Sequence, residues 1–183
     1  MSDYSSVFQL ISDLIRKERI SCILIGGYAV NYYKVSRQTG DVDFLITKED
    51  FERISPILKD AGYQQERLQD NFAQFKSTKL SLMDVDFMFV DQTTFDKIRK
   101  EAVSCKIGKL EFVLPSLDHL IALKLHSVKS SYKLRWTKDL PDIINLIRVN
   151  KIDARSAKFK ELCLKFGTTE LYQKIMEATD GGP

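Results

Sequence analysis

Asp41 and Asp43 stand either side of Val42, at the head of the apolar run Phe44-Leu45-Ile46. In an extended strand, alternate side chains share one face, about 6.6–7 Å apart. A strand over 42–46 therefore presents both carboxylates on the same side. Adjacent acids repel one another, and burying them costs more still, unless a cation lies between them. Hard oxygen donors of this kind suit magnesium, or manganese, which is held by one or two carboxylates together with substrate phosphates. Alone, the D-x-D pattern is better explained as an exposed strand start, and the residues before it change that weighting.

The apolar run Cys22 to Ile25 ends in Gly26-Gly27, and 13 residues separate Gly27 from Asp41. This pattern predicts a strand over 22–26, a short helix over 27–34, a polar turn, and then the acid-bearing strand. Glycine lets a ligand approach the backbone closely, and the N–H groups of a helix start attract anions such as phosphate. A phosphate-holding turn followed by a metal-holding strand describes a site for a nucleoside triphosphate and its metal. Arg37 and Thr39, just before Asp41, are further candidates for contact with phosphate or acceptor, although ordinary turn residues need no such role. The stretch contains neither the dinucleotide fingerprint nor a Walker loop.

G-G, a spacer and D-x-D resemble the signature of the DNA polymerase β-like nucleotidyltransferase superfamily. The form I-G-G-Y-A-V-N with R-Q-T-G-D-V-D-F looks most like the AbiEii/AbiGii toxin-type branch, and it is also similar to small antibiotic nucleotidyltransferases. Many members carry Ser where this chain has Gly27. The resemblance spans about residues 20–148. It implies an α/β (α+β) fold, with a short mixed sheet flanked by helices and a helical C-terminal part. It also implies transfer of a nucleoside monophosphate from NTP to an acceptor hydroxyl, with release of pyrophosphate.

The resemblance further implies a third acid on a later strand. The segment LMDVDFMFV (82–90) offers Asp86, with Asp84 on the same face in reserve, and spacing does not separate the two. Asp41, Asp43 and Asp86 would then hold magnesium or manganese, with Asp86 as metal ligand or base. Residue periodicity adds a clue at Lys124. On a wheel of the helix expected over 117–129, it falls about 20° from Leu117, inside the stripe of Leu117, Ile121 and Val128. A lysine there snorkels outward, or reaches a buried carboxylate or a phosphate. The resemblance implies an active-site lysine at this place, in contact with the triphosphate or promoting catalysis. Asp139 and Asp142 match a [KR]-D-x-x-D pattern. Asp139 is expected in the first turn of a helix over 136–149, with Pro141 tolerated beside it, and Asp142 on the solvated or cleft-facing side.

The 183 residues include 44% apolar side chains, enough for a core and for one domain or one domain with an annex. The expected division is an α/β core over 1–114 and helices over 115–183, packed as one unit. Net charge is +3, distributed as −3 over residues 1–91 and +6 over 92–183. A basic second half could help to hold a triphosphate or RNA. Three well-separated cysteines suggest no disulfide framework, and no run is long enough to cross a membrane. Together these imply a cytoplasmic protein. The expected acceptor is RNA, such as a tRNA end, or a protein, with a small antibiotic as the alternative. A non-catalytic module with an antitoxin-type partner also stays open. Elsewhere, apolar spacing predicts a helix over 4–18, strands over 63–67 and 71–77, a helix over 93–102 and a hairpin over 105–114. Asp153 is expected to cap a third C-terminal helix, Thr168 or Thr169 a fourth, and the DGGP tail to fray.

Overall fold

The computed structural model describes residues 4–130 and 132–180. The frayed tail expected at DGGP falls outside the described residues from Gly181 on. The chain forms two compact units. One runs to Ala29 and resumes from Gln38 to Ser116, while the other comprises Val30–Arg37 and the described residues from Leu117 onward.

The first unit holds five strands in one sheet: β1 (Ile23–Leu24), β2 (Asp41–Thr47), β3 (Tyr63–Leu68), β4 (Phe72–Ser77) and β5 (Asp84–Val90). Their spatial order is β1-β2-β5-β4-β3. β2 and β5 run parallel and the other pairs antiparallel, so the sheet is mixed. Parallel neighbours require a crossover, supplied here by α3 (Lys48–Asp60) and the β3–β4 hairpin. Helices α1 (Val7–Lys17) and α4 (Gln92–Lys100) complete the mixed α/β architecture, with a separate hairpin of β6 (Val103–Ile107) and β7 (Leu110–Leu114). Helix α2 (Gly26–Tyr32) begins in this unit.

Alternation fixes which side of the sheet is apolar. Val42, Phe44 and Ile46 of β2, with Val85, Phe87 and Phe89 of β5, are buried. Phe44 stacks on Phe87 with ring centroids 6.1 Å apart, and Phe51 of α3 lies 4.6 Å from Phe89. Slipping either strand by one residue would drive its acids into this aromatic layer. The packing of one face therefore sets the position of the carboxylates on the other. Thr47, the last residue of β2, caps α3 by accepting a hydrogen bond from the Asp50 N–H. The acid-bearing strand thus passes directly into the helix that covers its apolar face.

The second unit contains the end of α2 and four helices, α5 (Leu117–Ser130), α6 (Tyr132–Val149), α7 (Ala157–Phe166) and α8 (Thr169–Asp180). Leu120, Ile121, Leu125, Ile143, Leu146, Ile147, Phe159, Cys163 and Ile175 are buried in it. Two details depart from expectation. Because α6 begins at Tyr132, Pro141 is inside the helix rather than in its first turn. Its ring removes one backbone donor, but Pro141 is exposed, where water can serve the released carbonyl. Ser156, not Asp153, caps α7, its hydroxyl accepting from Phe159 N–H. Asp153 instead turns the preceding loop by accepting from Arg155 N–H at 2.9 Å. Among the described residues, no helix is long and apolar enough to cross a membrane.

Two measurements test this packing. Thr47→Ala removes a helix cap and should cost about 1 kcal/mol in urea unfolding. Burial pushes the Cys22 and Cys163 thiols up to about 12. A thiol reagent at pH 8 should therefore modify half-buried Cys105 well before either of them. Since the unfolded thiols ionise near their ordinary range and the folded ones do not, stability should fall as pH rises through that range toward about 12.

Candidate active site

Parallel pairing of β2 with β5 places Asp43 directly opposite Asp86, and Asp41 opposite Asp84. One carboxylate oxygen each from Asp41, Asp43 and Asp86 lies within 4.8 Å of the others. Three acids so close oppose one another's ionised forms, and a divalent cation reverses the sign of that interaction. The donor set consists of hard oxygens alone, which fits magnesium or manganese.

Asp84 has other work. Its Oδ1 accepts the Ser77 backbone N–H at 2.9 Å, tying β4 to β5 at the end of their hairpin. The geometry thus groups Asp86 with the two N-terminal acids. Gln74, across from Asp86 on β4, brings its side-chain amide to 3.5 Å from Asp86 Oδ2. No sequence signal marks Gln74, because its relevance depends on strand pairing.

The two glycines make room for this cluster. Gly26 has φ +63°, a left-handed conformation suited to glycine, and a Cβ there would stand 1.8 Å from Asp43 Oδ2. A Cβ on Gly27 would stand 2.7 Å from Thr39 Cβ and 2.8 Å from its Oγ1. The helix they open, α2, has only seven residues, so its dipole is short. What the structure shows directly is space for Asp43 and Thr39. The Thr39 hydroxyl donates toward Asp41, with Oδ1 at 2.9 Å and the carbonyl oxygen at 3.0 Å.

Lys124 belongs to the second unit, where it is 6% exposed. Its Nζ donates to Asp139 Oδ1 at 2.8 Å and to Asp142 Oδ2 at 2.7 Å. Arg37 Nη1 reaches the same Asp142 oxygen at 2.5 Å, and Ser127 Oγ donates to Asp139 Oδ2 at 2.9 Å. The Arg37 backbone is itself held at both N–H and carbonyl by the Asn31 side chain. Lys124 therefore reaches buried carboxylates rather than snorkelling to water, and Arg37 pairs with a carboxylate. Asp142 is not on a solvated side. Asp139 and Asp142, three apart, share a buried helix face, and with α6 beginning at Tyr132 neither lies in its first turn. Ser127 was missed in the sequence, although its position three residues after Lys124 puts it on the same face of α5.

The sequence matches, over residues 5–179, the family described as uncharacterised nucleotidyltransferase. The chain belongs to this nucleotidyltransferase family. No curated protein matches the chain. Among solved structures, the antibiotic-resistance factor ANT(2″)-Ia superposes with a TM-score of 0.62 at 13% identity, covering 96% of this chain and 97% of that one. An antigenic nucleotidyltransferase-like protein from Paracoccidioides brasiliensis gives 0.57 at 14% identity, with 95% and 90% covered. The lincomycin-bound lincosamide antibiotic adenylyltransferase LnuA gives 0.53 at 18% identity, with 77% and 94% covered. At these identities, the likeness establishes the nucleotidyltransferase fold.

The buried network makes its own prediction. Lys124→Met leaves Asp139 and Asp142 with too little positive charge and should destabilise the protein by about 3–5 kcal/mol. Denaturant unfolding of the variant beside wild type checks this, and an unchanged midpoint would contradict a buried, charge-balanced network.

Proposed function

We propose that this nucleotidyltransferase moves a nucleoside monophosphate from an NTP onto an acceptor hydroxyl, using magnesium or manganese held by Asp41, Asp43 and Asp86. The convergence of three carboxylate oxygens within 4.8 Å carries this reading, in a chain that belongs to a nucleotidyltransferase family. A bound divalent ion would neutralise phosphate charge and lower the pKa of the attacking hydroxyl.

The chain's own residues then have separate tasks. Gly26 and Gly27 seat the side chains of Asp43 and Thr39, and the backbone N–H groups beside them are assigned to phosphate. Asp86 accepts the proton of the acceptor hydroxyl as its oxygen bonds to the α-phosphorus. The bond from that phosphorus to the bridging oxygen breaks, and pyrophosphate departs. We take the acceptor to be an RNA end, as the toxin-type resemblance implies, supported by the +6 charge of residues 92–183. A small-molecule hydroxyl is the second reading, supported by fold likeness to an antibiotic-resistance factor and to a lincosamide antibiotic adenylyltransferase.

Calorimetry with an NTP and magnesium is the first test, followed by incubation of labelled NTP with RNA and, separately, with an aminoglycoside or lincosamide. Asp41→Asn and Asp43→Asn should lower metal-dependent NTP binding and transfer by at least about 100-fold, the upper end of the loss expected when even an outer partner of a metal ligand is removed. Release of inorganic phosphate in place of pyrophosphate would point to a different phosphotransfer reaction. Absence of metal-dependent NTP binding by the folded wild type would overturn the proposal.

A further inference from the structure

We infer that Thr39 is a positioning residue, which holds the Asp41 carboxylate in its metal-binding orientation and does so in the space left by Gly27. The inference rests on reading Asp41, Asp43 and Asp86 as metal ligands, and it assigns Thr39 a task other than contact with phosphate.

Asp41 is the first residue of β2, preceded by a segment without regular structure. A carboxylate has two rotatable side-chain bonds, and Asp41 is only half-buried. Its near neighbours differ from those of Asp43, whose carboxylate rests against the Gly26 backbone. They differ also from those of Asp86, which sits within β5 and faces Gln74 across the sheet. The Thr39 hydroxyl donates a hydrogen bond to the Asp41 carboxylate, at 2.9 Å to Oδ1. Oxygen–oxygen hydrogen bonds to an ionised acceptor are strong and directional. A hydroxyl that donates to Oδ1 fixes the plane of the carboxylate and leaves Oδ2 available to a cation.

Thr39 is held in turn by shape. Its Cβ and Oγ1 occupy the volume that a side chain at position 27 would need. Its β-branch also restricts χ1 to few values. Gly27 thus affects the metal site indirectly, by giving Thr39 a seat. Thr39 has one hydroxyl proton, and Asp41 takes it through Oδ1 and the carbonyl oxygen. That proton is not available to a phosphate oxygen while the contact lasts. Outer partners of this kind typically change metal affinity by about 10–100-fold when removed.

The test is manganese affinity without nucleotide, read by electron paramagnetic resonance, in wild type, Thr39→Val and Thr39→Ser. Valine keeps the branched shape and loses the hydroxyl, while serine restores the hydroxyl. The expected result is manganese binding by wild type, weaker by about 10-fold or more in Thr39→Val and within about threefold of wild type in Thr39→Ser. Equal affinity in wild type and folded Thr39→Val would overturn the inference, even if NTP binding fell, because a phosphate contact alone predicts that pattern. Loss in Thr39→Ser equal to that in Thr39→Val would also overturn it, since shape rather than the hydroxyl would then be responsible. No manganese binding by wild type would remove the metal-site reading itself, and this inference with it.

Discussion

Like charges have to be kept close together in the first unit, and much of its construction follows from that requirement. Three carboxylate oxygens within 4.8 Å of one another do not assemble through mutual attraction. They are brought together by apolar packing on the opposite face of the sheet, where Phe44 and Phe87 fix β2 against β5. The aromatic layer supplies the favourable free energy, and the acids follow through the twofold alternation of the strands. The left-handed Gly26 and the seat at Gly27 complete the arrangement by removing side chains where Asp43 and Thr39 must fit.

The second unit treats charge in the opposite way. Lys124 and Arg37 meet Asp139 and Asp142 in equal number, at 2.5 to 2.8 Å. A buried cluster that is balanced internally requires no ligand, and its carboxylates are satisfied by donors from α5 and from the 30–37 segment. Gathered acids in one unit and paired opposite charges in the other are two solutions to the same desolvation problem. The first is suited to recruiting a cation from solution. The second fixes helices against one another.

The acid strand and the order of elements could be read in the sequence because alternation and glycine placement are local signals, whereas the mixed sheet was implied by the family resemblance. Asp41 and Asp43 were visible through the same local signals, while the expectation of a third acid, which Asp84 and Asp86 both offered, came from the resemblance. The choice between Asp84 and Asp86 was not visible, since it depends on Ser77 N–H engaging Asp84 and on the β2–β5 register, both set by tertiary pairing. Lys124 stood out as a cation in an apolar stripe, but its partners lie on another helix. Asp142 was expected on a solvated or cleft-facing side, but the structure buries it with Asp139 on a face of α6 that also carries Ile143 and Leu146. Gln74 and Asn31 carry no local signature, and their parts emerge only when distant segments meet.

The split composition of the second unit has a consequence for how the chain acquires its structure. Arg37 meets Asp142 across 105 positions, and Asn150 donates to the Tyr33 carbonyl across 117. On the ribosome, Val30–Arg37 emerges long before the helices that belong with it. This short segment must remain available while β2 to β7 are made and paired. Contacts of such separation are slow to close, so the first unit can mature during synthesis. The charge-balanced knot around Lys124 is tied only near its end. Quality control in the cell would then encounter a nascent protein whose acid strand is already in place, while the partners of residues 30–37 are still being translated.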